Sequence, residues 1–188
     1  MSRRPDALEV ADRALILYAL VRRAAIEVVL EDEAEPQRLA QAERARVETT
    51  RWLARESLND ELTETERVLF DGTSGSWPHE AIADGLWRKE SLGVVLWALG
   101  HVDALPQIDD EFEVQVLNQR IEAYGSESAF RQNGRLRDGA ELDRAWGEAD
   151  AWLAATDGMT GEDATISSIS AERRRALSRL RDRDAAPA

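Results

Sequence analysis

The strongest constraint on how this chain folds is one apolar, tryptophan-containing segment, residues 87–100, which reads WRKESLGVVLWALG. On a helix that advances about 100° per residue, a sector about 80° wide would hold Trp87, Glu90, Val94, Trp97 and His101. A second face would carry Leu92, Val95, Leu96 and Leu99. A helix that is apolar nearly all round is a buried one, so the segment predicts a central buried helix at about residues 86–100.

The same segment places the carboxylate of Glu90 among indole rings. A buried carboxylate has to be paired, hydrogen-bonded or protonated. The first predicted helix offers three candidate partners, Arg13, Arg22 and Arg23. The alternative is a general acid or base whose pKa is raised inside an aromatic pocket. The candidate pocket or buried-polar residues are Trp87, Glu90, Trp97 and His101.

Helix start and stop signals recur along the rest of the chain. Thr63 followed by Glu66 predicts a capping box at the start of a helix, and Gly72 is a natural stop for that helix. Asp138 and Glu141 predict a second capped helix start. No run of residues shows the sustained alternation that is typical of a β-strand.

These patterns predict an all-α fold, an irregular bundle of about six to eight helices around the central buried helix. A length of 188 residues fits one domain and can bury a core without metals or disulfides. We therefore expect a single helical domain over residues 1–181 and a disordered C-terminal tail over residues 182–188.

Several classes of catalytic and metal site lack the residues they need. The chain has no cysteine, which excludes disulfides, thiolate zinc sites and cysteine nucleophiles. The sequence that begins at His79 resembles the zinc motif H-E-x-x-H, but Ala83 occupies the second histidine position. The acidic run DDEFE, residues 109–113, lacks the glycine of an EF-hand and is typical of a helix N-terminus. The sequence predicts no catalytic residue, no metal ligand and no cofactor.

The net charge of −13 is concentrated in the middle of the chain. Residues 1–58 carry 10 basic and 11 acidic groups, residues 59–165 carry 8 and 23, and residues 166–188 carry 6 and 3. Such a field disfavours binding to nucleic acid and favours a basic protein partner. Solubility alone is the other explanation for a charge of this size.

The C-terminal run ERRRALSRLRDRD is basic and has two interpretations. Arg174, Arg175 and Arg181 are available to contact phosphates, which is the nucleic-acid interpretation. The run is more typical of a surface helix that complements the acidic middle of the chain.

The apolar runs are too short for a membrane protein. The longest, residues 14–21, has eight residues, whereas a spanning helix needs about 20. Asp6, Glu9 and Asp12 interrupt the apolar region that a secretion signal would need after MSRRP. We therefore predict a cytoplasmic protein without membrane contact.

The chain resembles the bacterial family called domain of unknown function 4272, whose hallmark is W-R-x-E-x-L-x-V-L-x-W-A-L-G followed by leucine-proline. Residues 87–100 correspond to the hallmark, with Val94 or Val95 for its valine and Leu96 for its second leucine, and Leu105 and Pro106 follow. The segments ALILYALVRRAAIE and RWLARESLNDELTETE are also similar to the family. The family's E-R-H-x-A-L-N-W-L segment corresponds to ERRRALSRL, which differs from it at Arg174, Ser178 and Arg179. The resemblance implies a small, largely helical bacterial protein and transfers no activity.

Two functions remain open at this point. The first is a non-enzymatic helical module that binds another protein, in an accessory or immunity-type role, with a basic protein as its partner. The alternative is an enzyme or small-ligand binder that uses a Glu/Trp pocket around Glu90. The sequence leaves the oligomeric state open.

Overall fold

A computed structural model of the chain describes residues 3–31, 35–156 and 163–182. These residues form eight α-helices, one short 3-10 helix and no β-strand, which confirms the all-α prediction. The helices are α1 (Ala7–Glu31), α2 (Pro36–Arg55), α3 (Glu64–Asp71), α4 (His79–Ala98), α5 (Val114–Glu122), α6 (Glu127–Asn133), α7 (Gly139–Ala155) and α8 (Asp163–Arg181). The 3-10 helix spans Asn59–Glu61.

The chain divides into two compact units. One consists of Met1–Ala14 together with Lys89–Ala188, and the other consists of Leu15–Arg88. The single domain over residues 1–181 stays a prediction. The tail predicted at 182–188 lies outside the described residues, except for Asp182.

The predicted central helix corresponds to the second half of α4, where residues 90–99 are all buried. The helix begins earlier than predicted, at His79, and continues through Gly85. A Cβ at Gly85 would overlap the side chain of Ala24 on α1 and crowd the ring of Trp77. The glycine therefore lets α4 pack closely against these two residues without breaking the helix.

The turn that ends α4 is formed at Gly100, two residues after the last helical residue, Ala98. Its φ of +77° is a left-handed conformation that favours glycine. The Gly100 amide donates to the carbonyl of Trp97, and the His101 amide donates to the carbonyl of Leu96, each at 2.9 Å. This pair of bonds is a Schellman motif, which reverses the chain and turns His101 off the helical face predicted for it.

The predicted helix caps at Thr63 and Asp138 and the predicted stop at Gly72 are all present in the structure. The Thr63 hydroxyl accepts from the Glu66 amide and the Glu66 carboxylate accepts from the Thr63 amide, so the predicted capping box is present. Asp138 caps α7 by accepting from the Glu141 amide at 2.8 Å. Gly72 follows the last residue of α3, as predicted.

None of the helices among the described residues is long and apolar enough to cross a membrane.

The packing of α4 generates a test of close contact. A Cβ at Gly93 would overlap the buried ring of Phe112, so Gly93→Ala should lower the free energy of unfolding by about 1–3 kcal/mol. Gly147 of α7 is a matched control, since a Cβ there meets no atom within 4 Å. Gly147→Ala should raise stability by about 0.4–1 kcal/mol. Urea denaturation of both variants measures the difference, and equal shifts would refute the close approach of Phe112.

Candidate functional site

Glu90 is fully buried and has partners at both carboxylate oxygens. The guanidinium Nε of Arg173, on α8, donates to Oε2 at 2.9 Å. The backbone amide of Phe112 donates to Oε1 at 2.8 Å. The carboxylate therefore links α4 to α8 and to the loop that follows α4.

Arg173 binds far more than this one carboxylate. Its Nη1 donates to the carbonyls of Pro106 (3.1 Å) and Gln107 (3.0 Å), and its Nη2 donates to the carbonyl of Asp110 (2.5 Å). The guanidinium carbon lies 5.2 Å from the centre of the Phe112 ring. A guanidinium suits this role because it offers five donors in a fixed plane.

A second polar contact joins α4 and α8 beside the ion pair. The hydroxyl of Ser91 donates to the carboxylate of Glu172 at 2.8 Å, and both residues are buried. Glu172 also pairs with Arg175 one turn along α8. Two adjacent residues of α4 are thus joined to two adjacent residues of α8.

Burial raises the pKa of the Glu90 carboxyl, because the charged form is removed from water. The charge of Arg173 and the amide of Phe112 oppose this rise. A general acid or base must bring its carboxyl within hydrogen-bond reach of a substrate proton. Glu90 instead directs one oxygen at an arginine and the other at a backbone amide, an arrangement that favours a structural role.

The arginine that pairs with Glu90 is not one of the predicted candidates. Arg23 pairs with Glu27 on its own helix, and Arg22 is exposed. Arg173 is only 3% exposed, so the prediction of a surface helix is wrong for this residue. A sequence signal for its burial exists, because Arg173 shares one helical face with a buried set, Ile169, Ala176, Leu177 and Leu180.

The other predicted site residues each have their own neighbours. Trp97 is buried, and the guanidinium of Arg137 lies 4.9 Å from the centre of its ring. Trp87 is half-buried and belongs to the unit Leu15–Arg88, whereas Glu90 belongs to the other unit. The grouping of Trp87, Glu90, Trp97 and His101 as one site therefore stays a prediction.

Arg137 holds the C-terminal end of α4. Its Nε donates to the carbonyl of Trp97 at 2.8 Å, and its Nη2 donates to the carbonyls of Val102 and Asp103. The backbone amide of Arg137 also donates to the carbonyl of Ala98. Carbonyls at this helix end and just beyond it are thereby bound by a residue that lies far along the chain.

His101 lies in an aromatic cluster just after the turn at Gly100. Its Nδ1 is 2.7 Å from the hydroxyl of Tyr124, and its ring centre is 4.7 Å from that of Phe130. Its Nε2 is buried and has no hydrogen-bond partner among the described residues. Burial lowers the pKa of His101 below its usual 6.5, because the imidazolium would lose its hydration.

The loop between α4 and α5, residues 99–113, is held to the fold by these contacts. Arg173 binds its carbonyls at Pro106, Gln107 and Asp110, while Phe112 inserts its ring against Gly93. The acidic side chains of the loop are exposed; they are Asp103, Asp109, Asp110, Glu111 and Glu113. Among them Glu111 pairs with Lys89. The predicted helix N-terminus at 109–113 is instead the end of this loop, with Glu113 flanking α5.

Comparison with known proteins identifies one family. The family model described as Domain of unknown function (DUF4272) matches residues 2–186. Neither the curated proteins nor the solved structures contain a match to the chain.

The buried ion pair predicts a large energetic coupling. Glu90→Gln should lower the free energy of unfolding by about 3–5 kcal/mol, because it leaves the charge of Arg173 buried without a counter-charge. Arg173→Met should cost at least as much, since it also removes the donor to three carbonyls. The double variant should lose less than the sum of the two losses, and urea denaturation of all four proteins measures the coupling.

The neighbouring pair of Arg174 and Asp150 is a matched control. Its atoms lie 2.5 Å apart, but its side chains are 40% and 43% exposed. Coupling between Arg174→Met and Asp150→Asn should stay within about 1 kcal/mol. A Glu90–Arg173 coupling no larger than this control would refute the structural importance of the buried pair.

The lowered pKa of His101 predicts a pH dependence of stability. Unfolding returns the imidazole to a pKa of about 6.5. Just below that pH the unfolded chain therefore binds a proton at His101 more readily than the folded chain does. This contribution is fully present above pH 6.5 and is lost as the pH falls, by up to about 1.4 kcal/mol per pH unit. Denaturation between about pH 7.5 and 5.5 measures the loss, and His101→Gln should reduce it. His79→Gln, which removes an exposed histidine, should leave the loss in place.

Proposed function

Because the chain belongs to the DUF4272 family, whose description names no reaction, we propose from its own surface that it is a non-enzymatic helical module that binds a basic protein partner. The α4–α5 loop, residues 99–113, is the proposed binding surface. The partner presents lysine and arginine side chains to this loop. The chain thereby serves as an accessory protein.

One observation carries the proposal: the loop has a fixed backbone and outward-facing carboxylates. Arg173 holds its middle through three carbonyls, and Glu90 holds the amide of Phe112. Arg137 holds the carbonyls of Val102 and Asp103 at its beginning. These backbone groups are bound by the three side chains, and the acidic side chains of the loop remain exposed.

A fixed loop is better suited to binding than a mobile one. Association normally costs the ordering entropy of interface loops, and a loop that is already ordered avoids that cost. Complementary charge then increases the rate of encounter and discriminates against acidic partners. The middle of the chain, residues 59–165, has 23 acidic and 8 basic groups. This excess of negative charge supports a partner that is basic.

The alternative, an enzyme that uses Glu90, has less support. Both oxygens of Glu90 are bound inside the protein, one by Arg173 and one by the amide of Phe112. A substrate would have to displace Arg173 from Glu90 and thereby release the loop. This is why a binding role is proposed in preference to a catalytic one.

Neutralisation of the loop tests the proposal. In the triple variant Asp109→Asn, Asp110→Asn and Glu113→Gln, three exposed carboxylates become amides of the same shape. When the unmodified chain is used as bait in quantitative affinity purification from cells that naturally produce it, a basic protein should be recovered. The triple variant should recover about tenfold less of it, and added salt should weaken the native interaction, because exposed charges are screened.

A second triple variant with the same change of charge is the control. Asp60→Asn, Glu61→Gln and Asp84→Asn neutralise three exposed carboxylates of the unit Leu15–Arg88. This control should recover the basic partner at the native level. Equal losses in the two variants would show that net charge alone acts, and a reproducible acidic partner, or none, would contradict the proposal.

A further inference from the structure

A second buried arginine, Arg23 of α1, has donors without a hydrogen-bond partner among the described residues. Arg23 and Glu27 are both fully buried and form an ion pair one turn apart, through Nη1 of the arginine. The Nε and Nη2 atoms of Arg23 are buried and have no hydrogen-bond partner among the described residues. A buried donor without a partner is a rare and costly feature that requires an explanation.

The two unsatisfied nitrogens form one side of the guanidinium plane. Nε–H and one Nη2–H point in the same direction and make a fork that matches two oxygens of a carboxylate or a phosphate. Arg46 of the same unit shows this use: its Nε and Nη2 bind the two oxygens of Glu43 at 3.0 and 2.7 Å. Arg23 has the same fork without the oxygens.

Trp77, in the loop between α3 and α4 (residues 72–78), covers Arg23. The ring of Trp77 lies over the guanidinium, with its centre 5.3 Å from the guanidinium carbon. The amide of Trp77 donates to Glu27 at 3.3 Å, and its indole nitrogen donates to the carbonyl of Leu69 at 2.7 Å. Trp77 is buried, whereas the loop residues 73–76 are exposed.

Few bonds tie the exposed part of this loop to the helices. The hydroxyl of Ser74 donates to the carboxylate of Glu43 on α2. The hydroxyl of Ser76 donates to the carbonyl of Thr73, a bond that stays inside the loop. Gly75 has a φ of +67°, so the turn depends on glycine. Ser74 is therefore a side-chain tether from the loop to α2.

The charges around Arg23 are compatible with an incoming anion. Burial lowers the pKa of the Arg23 guanidinium, and the carboxylate of Glu27 opposes this only in part. Arg46 adds a second positive charge that acts on Arg23, and Glu43, which is paired with Arg46, adds a negative one. An oxyanion seated on the fork would satisfy both orphaned nitrogens and add a second counter-charge to the buried cation.

We propose that residues 73–76 form a lid over a small-oxyanion site, in which the Nε and Nη2 atoms of Arg23 bind a carboxylate or phosphate group and Trp77, held by Glu27 and the carbonyl of Leu69, forms the wall. Both donors are buried, so the lid must open to admit the ligand. The Ser74–Glu43 bond holds the lid closed. This site lies within the unit Leu15–Arg88 and does not depend on the acidic α4–α5 loop.

Titration of the full chain with inorganic phosphate and, separately, with acetate tests the proposal. Isothermal calorimetry at constant ionic strength, with chloride as the reference, should show saturable binding of at least one anion. Tighter binding of phosphate assigns a phosphate ligand, and tighter binding of acetate assigns a carboxylate ligand. Arg23→Lys keeps the charge but removes the fork, so it should weaken binding roughly tenfold or more.

Two serine variants test the lid without altering Arg23. Ser74→Ala removes the tether to α2 and should strengthen the apparent affinity by about three- to tenfold, because the open state becomes more populated. Ser76→Ala removes a bond within the loop and should leave the affinity within about twofold. The serine comparison remains decisive if Arg23→Lys fails to fold. No saturable binding of either anion, native affinity in Arg23→Lys, or unchanged affinity in Ser74→Ala would each overturn the proposal.

Discussion

A carboxylate buried inside a helical core is the constraint on which the unit containing α8 depends. Glu90 is fully buried, and an isolated charge in that position would cost many kcal/mol. Arg173 supplies the counter-charge from 83 residues away, and it has more donors than Glu90 can accept. The remaining donors bind the carbonyls of the α4–α5 loop, so one buried charge orders two helices and the loop together.

Arginine is suited to this architecture in a way that lysine is not. Only one of the 24 basic residues is lysine. Guanidinium groups stack on aromatic rings within each unit; the pairs are Arg23 with Trp77, Arg137 with Trp97, Arg173 with Phe112, and Arg174 and Arg181 with Trp146. A planar guanidinium stacks with its face and donates with its edge, whereas an ammonium group concentrates its charge at one point. Arg137 and Arg173 use both properties at once.

The two buried arginines differ in how completely their donors are used, and this difference separates the two proposals. Arg173 binds one carboxylate and three carbonyls, which makes it a structural residue that fixes an acidic surface. Arg23 binds one carboxylate, and two of its nitrogens have no partner in the part of the chain that the structure describes. The completed hydrogen-bond network of Arg173 stabilises a surface for a protein partner. The incomplete network of Arg23 marks a place where a ligand would supply the missing hydrogen-bond acceptors.

Local sequence patterns are enough to predict the helices, their caps and the burial of Glu90. The capping box at Thr63, the stop at Gly72 and the apolar half of α4 depend on contacts three to five residues apart, so local pattern is sufficient to predict them. The end of α4 was missed by two residues because Gly100 adopts a turn that ends the helix before the apolar pattern ends.

Which polar groups meet in the core depends on the packing of distant segments. Helical periodicity places Glu90 in a core but does not show which arginine pairs with it. The charged sequence neighbours of Arg173 predict a surface position for that residue, whereas it is buried. The open fork of Arg23 is likewise invisible in sequence. The identity of a partner for a buried charge depends on how segments far apart in the chain pack, and local spacing carries no information about that packing.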